Sequence, residues 1–357
     1  MSAKVFLMAG GGTGGHVIPA LAVARELRQR GHEAIFVGTD RGLEARLVPA
    51  EGFPLERVRI GGLKRVGIRQ TVATLWQLPS STLRCARLLE ARRVSAVFSM
   101  GGYVAGPPVL GALLKRVPVV IMEPNAIPGF TNRRIGRFVA RALISFPETA
   151  IYFSKGSTEL TGLPVREEFF ALDPKPRENV LTVLITGGSQ GSRRLNEAAR
   201  ASWPLFRESG FPVRLIHQAG RSQCDELAAG FALTGLAGEV VPFLTDMPGA
   251  FAQADLVVCR SGAGAVAELA AAGKPSVLVP FPHAADQHQL RNAEAFARAE
   301  AALLVRDADF SGERLFQTVT TLVAEPGRLE RMGAAARRFA RPGAARRAAD
   351  VLEEVAR

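Results

Sequence analysis

Two short apolar segments that run directly into glycines stand about half a chain apart. The first is Lys4-Val-Phe-Leu-Met-Ala-Gly-Gly-Gly-Thr-Gly-Gly-His16, and helical spacing of apolar residues follows it from Pro19 to Arg30. The second is Leu181-Thr-Val-Leu-Ile-Thr-Gly-Gly-Ser-Gln-Gly191, which a helical stretch from Arg194 to Arg200 follows. Each copy predicts a buried strand, a glycine turn and a helix, so the chain carries this unit twice.

Further strand candidates alternate with helical stretches in both halves. This alternation predicts an α/β protein with two Rossmann-like parallel-sheet domains that face one another across a cleft. A polar, proline-bearing segment places the hinge near 161 to 180, which gives domains 1–161 and 162–341. The additional strand candidates are Ala34 to Val37, Ala96 to Phe98, Val117 to Met122, Arg214 to Gln218, Leu256 to Cys259 and Ser276 to Pro280.

Composition indicates a globular protein of a reducing compartment. The 357 residues are 47% hydrophobic and 22% charged, and the three cysteines are far apart without a CxxC pair. Disulfide frameworks and zinc knuckles are therefore not indicated, and the N-terminal apolar run is too short for a signal peptide. An uncharged stretch over 94–114 is interrupted by glycines and prolines, so it predicts strand, loop and helix rather than a membrane span. We expect a cytoplasmic protein.

The net charge of +12 lies entirely in the first half. Residues 1–161 hold 22 Lys/Arg against 10 Asp/Glu, whereas residues 162–357 hold 23 of each. This asymmetry predicts an anionic partner for the first half, which could be nucleic acid, an acidic lipid surface or a phosphorylated substrate. General arginine richness would have charged both halves.

Three glycine turns are suited to an anion. They are Gly10 to His16, Gly187 to Gly191, and Cys259 to Gly264 before a predicted helix over 265–272. Glycines let backbone N–H groups approach an anion, and a helix N-terminus adds positive potential. A single turn of this kind could equally be a tight turn that binds no ligand. Three such turns together favour a phosphate ligand. Glu268 could accept hydrogen bonds from a ribose diol, or could simply favour the helix N-terminus.

Seven blocks of the sequence form a recognisable set, namely Gly11-Gly-Thr-Gly-Gly-His16, Met100-Gly-Gly-Tyr-Val-Ala-Gly106, Glu123-Pro-Asn-Ala-Ile-Pro-Gly-Phe-Thr-Asn132, Gly162-Leu-Pro-Val-Arg166, Gly187-Gly-Ser-Gln-Gly191, Cys259-Arg-Ser-Gly262 and Ala284-Ala-Asp-Gln-His-Gln289 with Asn292. Together they resemble the MurG family of bacterial peptidoglycan glycosyltransferases. The blocks occur in the family's order and cover nearly the whole chain. The resemblance implies a GT-B fold, with an N-terminal acceptor domain, a C-terminal donor domain and a last helix (342–357) that returns to the first domain. It implies transfer of N-acetylglucosamine from its UDP donor to a lipid-linked muramyl-pentapeptide.

The resemblance also implies which residues bind the substrates. Residues of the first half would meet the sugar diphosphate from the acceptor side, and those of the second half would hold the UDP, with Leu244 beside the uracil and Gln289 on the sugar hydroxyls. It leaves open which of Gln287, His288 and Gln289 touches the sugar. The full set is Thr13, Gly14, Gly15 and Asn125 in the first half, and Arg166, Ser189, Leu244, Ala263, Gly264, Ala265, Val266, Ala267, Glu268 and Gln289 in the second.

His16 is the candidate general base for an inverting transfer. It lies at the mouth of a glycine loop, and imidazole titrates near neutrality, although a structural histidine that hydrogen-bonds across the loop is a comparable alternative. Ser189, Arg166 and the amides of the 265–272 helix could stabilise the departing diphosphate, so neither a metal nor another cofactor is expected. The DxD match Asp307-Ala-Asp309 is more typical of a turn or a helix cap.

A mixed apolar and basic stretch predicts an interfacial patch on the first half. It runs from Leu63 to Arg69 and continues through Val72, Leu75, Trp76, Leu78, Arg84, Arg87, Arg92 and Arg93. Such a patch would bind an anionic membrane surface reversibly, although Leu75 and Leu78 could instead face the core. We expect Pro79 to break any single long helix here.

Other functions remain as alternatives. A different GT-B enzyme, such as a diacylglycerol glycosyltransferase or a nucleotide-sugar epimerase, would share the same fold. A basic nucleic-acid binder is disfavoured, because the chain has only two Trp and two Tyr and lacks interleaved aromatic and basic residues.

Overall fold

The computed structural model describes residues 2–40, 42–58, 60, 68–173 and 179–357. The chain divides into two compact units. The first comprises Met1–Pro164 together with Gly343–Arg357, and the second comprises Val165–Pro342.

The first unit is built on a parallel sheet with the strand order β3-β2-β1-β4-β5-β6-β7 among its described residues. The central strands are mostly apolar and are buried on both faces, as expected where helices cover both sides. The strands are β1 (Val5–Gly10), β2 (Glu33–Gly38), β3 (Leu55–Arg57), β4 (Ala96–Gly101), β5 (Val119–Glu123), β6 (Arg141–Ile144) and β7 (Thr158–Leu160). The helices before the second unit are α1 (Gly14–Gln29), α2 (Glu44–Ala50), α3 (Ile68–Ala91), α4 (Gly106–Leu114) and α5 (Phe130–Ile135).

The strand order reverses direction between β1 and β4. In open α/β sheets ligands bind in the crevice outside the carboxyl ends of the strands at such a switch point. The loops after β1 and β4 therefore meet where a ligand site is expected.

Helix α1 begins five residues earlier than the sequence indicates. The predicted start was Pro19, but the helix begins at Gly14 and runs through Pro19. Proline lacks the N–H that would bond to the carbonyl of Gly15, and near the helix start the loss of this one bond is tolerated. The correction places Gly14, Gly15 and His16 in the first turn of the helix.

Helix α3 corrects a second expectation. It is continuous from Ile68 to Ala91, so Pro79 does not end it. Pro79 is exposed, and water can therefore hydrate the backbone carbonyl that its missing N–H leaves unpaired. No helix within the described residues is both long enough and apolar enough to cross a membrane.

The second unit repeats the architecture with the strand order β10-β9-β8-β11-β12-β13 among its described residues. Its switch point lies between β8 and β11. The strands are β8 (Leu181–Thr186), β9 (Val213–Gln218), β10 (Ala237–Val241), β11 (Leu256–Cys259), β12 (Ser276–Leu278) and β13 (Ala302–Leu304). The helices are α6 (Arg193–Ser209), α7 (Cys224–Ala232), α8 (Met247–Gln253), α9 (Ala263–Ala272), α10 (His288–Arg298), α11 (Gly312–Ala324) and α12 (Arg328–Arg337).

The last helix, α13 (Ala344–Val355), belongs to the first unit although it follows the second in the chain. It packs on α1, with Val351 and Leu352 fully buried. Arg30 of the segment after α1 donates to both Asp350 and Glu353 at 2.7 Å. This last segment therefore completes the hydrophobic core of the first unit.

Candidate functional site

The predicted acceptor-side residues of the first unit lie at the carboxyl ends of its central strands. Thr13 precedes α1, and Gly14 and Gly15 occupy its first turn, where backbone N–H groups have no partner within a helix. His16 is half-buried, and its Nδ1 lies 3.3 Å from the carbonyl oxygen of Gly11. Gly102, after β4, lies against the imidazole, because a Cβ there would stand 3.2 Å from Nδ1.

A buried carboxylate that the sequence analysis missed, Glu44, anchors the glycine loop. Its Oε2 accepts the N–H of Gly12 at 2.7 Å, and its Oε1 accepts both the N–H and the hydroxyl of Thr39. Burial alone would raise the pKa of Glu44, but these hydrogen bonds outweigh burial and hold the pKa below its usual value. The N–H of Gly12 is therefore directed to Glu44.

Asn125 is held by a second buried carboxylate, Glu123, at the end of β5. Oε1 of Glu123 accepts the backbone N–H and the side-chain amide of Asn125, each at 3.0 Å. Oε2 accepts from Gly129 and from the side chain of Asn132. Burial raises the pKa of Glu123, although these four donors oppose the shift. Asn125 thus has a fixed position at the same sheet edge as His16, with β4 between their strands.

In the second unit, Gln218 links two predicted contacts of the donor nucleotide. Its side-chain amide donates to the carbonyl of Gly188 at 2.8 Å, and its Oε1 accepts the N–H of Leu244 at 2.9 Å. Gln218 is 1% exposed, so these bonds are shielded from water. The structure therefore brings the Ser189 loop and Leu244 together through a residue that the sequence analysis did not select.

The start of α9 presents open space beside its backbone. A Cβ on Gly262 or Gly264 would meet none of the described residues within 4 Å, and neither glycine has a positive φ. Packing and backbone conformation therefore do not require glycine at these two positions. The predicted residues Ala263, Gly264, Ala265, Val266, Ala267 and Glu268 form the first turns of this helix, which follows β11 at the switch point.

Glu268 is half-buried, and the positive charge of Arg166 only partly offsets the loss of hydration of its carboxylate. Desolvation raises its pKa to about 7, while the positive charge of Arg166 opposes the shift. The Arg166 guanidinium lies 5.1 Å over the ring of Phe169 in the turn that leads into this unit. Arg166 and Glu268 are thus close enough to interact electrostatically.

Of the three residues considered for the sugar, Gln289 lines a pocket. The pocket measures about 690 Å³ and also includes Gly187, Gly191 and Arg260. The side-chain Oε1 of Gln289 accepts the N–H of Phe281, and the backbone carbonyl of Gln289 accepts the hydroxyl of Ser261. Gln287 and its neighbour Asp286 adopt positive φ values of 54° and 49°, which strains the backbone just before α10.

Asp307, from the DxD match, is held by a half-buried arginine. Arg260 donates to Asp307 and also to Ser192 and to the carbonyl of Val279. Asp307–Asp309 form a short 3-10 turn, which agrees with the turn that the sequence predicts. Arg260, which follows β11, therefore links Asp307 to the segments after β8 and β12.

Comparison with known proteins places both units in one family. Residues 6–144 match the glycosyltransferase family 28 N-terminal domain, and residues 182–352 match the family 28 C-terminal domain. A curated protein from Solibacter usitatus is 67% identical over 356 residues, which cover 100% of this chain and 97% of that protein. It is named UDP-N-acetylglucosamine--N-acetylmuramyl-(pentapeptide) pyrophosphoryl-undecaprenol N-acetylglucosamine transferase. A protein of the same name from Azotobacter vinelandii is 43% identical, with 100% of both chains covered.

Solved structures agree with this assignment. The crystal structure of MurG from Acinetobacter baumannii has a TM-score of 0.82 and 34% identity, covering 98% of this chain and 99% of that one. The chain belongs to the MurG family of glycosyltransferases. A UDP-GlcNAc 2-epimerase from Neisseria meningitidis has a TM-score of 0.67 but only 12% identity, so it shares the fold alone.

Membership of the MurG family confirms the predicted α/β GT-B fold and the prediction of a glycosyltransferase. It disfavours the diacylglycerol transferase, the epimerase and the nucleic-acid binder. The roles of the individual site residues stay predictions.

Three residues that organise the site of this MurG-family chain were missed, namely Glu44, Glu123 and Gln218. Glu44 and Gln218 hydrogen-bond to residues of two predicted glycine turns, over about 30 residues of sequence in each case. Glu123 hydrogen-bonds to Asn125 itself. The block from Glu123 to Asn132 carries the family resemblance, but that resemblance implies a substrate contact for Asn125 and none for Glu123. A polar residue at the carboxyl end of an apolar strand is the one local feature that could have pointed to Glu123 and Gln218.

Proposed function

We propose that this chain transfers N-acetylglucosamine from UDP-N-acetylglucosamine to the muramyl 4-hydroxyl of undecaprenyl-pyrophosphoryl-N-acetylmuramyl-pentapeptide. The transfer inverts the anomeric centre and converts lipid I to lipid II for peptidoglycan synthesis. The observation that carries the proposal is the 67% identity, along the full chain, to a curated transferase of that name.

The second unit is the proposed donor-binding part. The N-terminus of α9, Ser189 and Arg166 would stabilise the negative charge that develops on the departing diphosphate. Leu244 would lie beside the uracil, Glu268 would accept the ribose hydroxyls, and Gln289 would contact the sugar. The open space beside Gly262 and Gly264 supports a ligand at the start of α9. The proposal invokes no divalent metal, because these groups supply the positive potential.

The first unit is the proposed acceptor-binding part, and His16 is its general base. Thr13, Gly14, Gly15 and Asn125 surround the carboxyl ends of β1 and β5 and would position the acceptor sugar and its diphosphate. A base removes the proton from the acceptor hydroxyl as the new glycosidic bond forms, a role that suits an imidazole at neutral pH.

The first unit would also bind the cytoplasmic face of the plasma membrane as a peripheral protein. Large apolar side chains are exposed on it, with Trp76 at 79%, Leu83 at 55% and Leu114 at 65%. Arg84, Arg87, Arg92 and Arg93 of the predicted patch are all exposed, whereas Leu78 is partly buried. The patch residues 63–67 and the side chains of residues 68–75 lie outside the described residues. Exposed apolar groups flanked by arginines are typical of proteins that bind an anionic lipid surface.

The decisive experiment measures UDP release and glycolipid product with UDP-N-acetylglucosamine and a short-chain analogue of the lipid acceptor. The wild type should form the disaccharide product, and diacylglycerol should not replace the acceptor. His16→Ala should lower kcat by about 10²- to 10⁴-fold, the usual contribution of a general base. Its Kd for UDP-N-acetylglucosamine should change by less than about twofold, because a base acts on the transition state.

Two outcomes would each contradict a different part of the proposal. Absence of product from the wild type, with UDP-N-acetylglucosamine bound, would exclude the proposed acceptor. A His16→Ala variant that keeps kcat within a few-fold would place the base elsewhere and leave the transferase activity intact.

A further inference from the structure

The peptide group between Gly11 and Gly12 is hydrogen-bonded on both of its sides. Its carbonyl oxygen lies 3.3 Å from Nδ1 of His16, and its N–H donates to Oε2 of Glu44 at 2.7 Å. A carbonyl can only accept, so a hydrogen bond at this contact places the proton on Nδ1 of His16. One peptide group therefore connects a fully buried carboxylate to the imidazole.

We propose that Glu44 is a positioning residue which, through the Gly11–Gly12 peptide, holds His16 in the tautomer with its proton on Nδ1 and its lone pair on Nε2. The inference rests on the proposed function, in which His16 is the base. A hydrogen bond to an ionised carboxylate polarises the amide and makes its carbonyl a stronger acceptor. The stronger acceptor stabilises the Nδ1 proton and directs the basic Nε2 away from the loop.

The surroundings of Glu44 fit a carboxylate that must keep its charge and its place. Glu44 is 0% exposed, and a Cβ on Gly11, Gly38 or Gly42 would stand within 2.7 Å of its side chain. Three glycines from two loops and a strand end therefore clear the space that this one side chain fills. The backbone and side-chain donors that lower the pKa of Glu44 keep it ionised at neutral pH.

The Nδ1 edge of the imidazole also lies close to the loop after β4. Gly102 has a φ of +77°, and a Cβ there would stand 3.2 Å from both Nδ1 and Cε1 of His16. Glycine at this position therefore leaves room for the imidazole beside the Gly11 carbonyl.

The tautomer can be measured directly in the wild type. The chain has five histidines, so ¹⁵N imidazole spectra of the full-length protein above neutral pH are tractable, and His16→Gln assigns the His16 signals. Neutral His16 should show a protonated Nδ1 and an unprotonated Nε2. A protonated Nε2 would overturn the inference. This measurement does not use transfer activity, so a failure of the proposed acceptor leaves it unaffected.

Glu44→Gln tests the role of the charge, and Thr39→Val is its matched control. Glu44→Gln should lower kcat by about 10- to 100-fold, the usual effect of removing an outer hydrogen-bond partner, and should shift the His16 tautomer. Its Kd for UDP-N-acetylglucosamine should stay within about twofold, because the predicted donor contacts lie in the second unit. Thr39→Val removes one donor to Oε1 of Glu44 but keeps the bond from Gly12 to Oε2, so it should keep both kcat and the tautomer.

Equal losses of kcat in the two variants would overturn the inference, because the role of Glu44 would then be only structural. A Glu44→Gln variant with wild-type kcat and an unchanged tautomer would overturn it as well. If Glu44→Gln fails to fold, a protonated Nε2 in the wild-type spectrum would still overturn the inference.

Discussion

Three carboxylates of the site regions differ in the neighbouring groups that stabilise their negative charge. Glu44 accepts three hydrogen bonds, which lower its pKa despite burial, and Glu123 accepts four. For Glu268, desolvation raises the pKa to about 7 and only the charge of Arg166 opposes it. We infer that Glu44 and Glu123 organise the protein itself, whereas Glu268 lacks donors that a ligand such as a ribose diol would supply.

The raised pKa of Glu268 predicts a pH-dependent donor affinity. The ribose hydroxyls would donate to the ionised carboxylate, so binding should lower its pKa and release a proton near pH 7. The Kd for UDP-N-acetylglucosamine should therefore rise by about tenfold as the pH falls from 8 to 6. Isothermal titration calorimetry across this range measures the effect, and Glu268→Gln should bind more weakly at pH 8 and lose the pH dependence. A wild-type Kd that does not change with pH would contradict the ribose role.

The same pKa predicts the sign of a stability change. The folded pKa of about 7 lies above the ordinary value of 4.5, so the folded state binds the proton more tightly than the unfolded chain. Stability is therefore lost as the pH rises from about 4.5 to 7. Without ligand, Glu268→Gln should have a higher Tm than the wild type at pH 8 and a similar Tm at pH 5. A lower Tm at pH 8 would show that the ionised carboxylate has partners in the fold.

At the scale of elements, the glycines at the start of α9 differ from glycines that close packing requires. A Cβ on Gly191 would stand 2.0 Å from the carbonyl of Ala219, so glycine there is a packing requirement. Gly264 meets no such contact among the described residues. Its small size instead leaves the first turn of the helix accessible to an anion.

Gly264→Ala should therefore weaken donor binding without destabilising the fold. Because alanine favours a helix over glycine, Tm should stay unchanged or rise slightly. The Kd for UDP-N-acetylglucosamine should rise by about 10- to 100-fold, the value of one or two hydrogen bonds to a charged group. Gly230→Ala in α7 is the control, since its Cβ would make only ordinary contact with Trp203 and should leave Kd unchanged. Equal donor affinity in the two variants would remove α9 from the phosphate site.

Two helices show how tertiary packing outweighs a local rule about proline. Pro19 lies inside α1 and Pro79 inside α3, and both helices continue through them. A proline removes one hydrogen bond and restricts the preceding turn, but packing of the remaining turns can compensate for that cost. In α3 the buried Cys85 and Leu89 fix the later turns against the core of the first unit.

At the scale of the whole molecule, the charge asymmetry has a structural counterpart. The surplus of twelve positive charges lies within residues 1–161, and all of these residues belong to the first unit. Arg84 and Arg87 are exposed on α3 close in sequence to the exposed Trp76 and Leu83. The second unit needs only local anion sites, so we propose that the first unit is the one that binds the membrane.

Replacing Arg84, Arg87, Arg92 and Arg93 with glutamine should release the protein from anionic vesicles. Each base near an anionic leaflet contributes on the order of 1 kcal/mol, and salt should weaken wild-type binding in the same way because exposed charges are screened over about 8 Å. Transfer to a membrane-embedded acceptor should slow, while UDP affinity and activity on a short-chain soluble acceptor should stay nearly intact. Vesicle co-sedimentation across a salt series measures the effect. A quadruple variant that binds as tightly as the wild type would show that these arginines are only a solvated face.

The sequence by itself determined the repeated strand, glycine turn and helix, and with them the fold class and the family. Apolar runs and glycine clusters are local patterns, so they can be read without knowing the fold, and the strands β1, β8 and β11 begin and end close to their predicted positions. Short or exposed strands such as β3, β7 and β10 carry no such pattern and were missed. They form because a neighbouring strand supplies their hydrogen bonds.

Only the tertiary structure decided which polar groups meet. The contacts of Glu44 with Gly12 and of Gln218 with Gly188 join residues about 30 positions apart, and α13 joins α1 across more than 300. These contacts depend on which strands are neighbours in the sheet, and no local periodicity encodes that order. The burial that sets the pKa values of Glu44, Glu123 and Glu268 likewise exists only once the surrounding elements have packed, because desolvation requires neighbours on all sides.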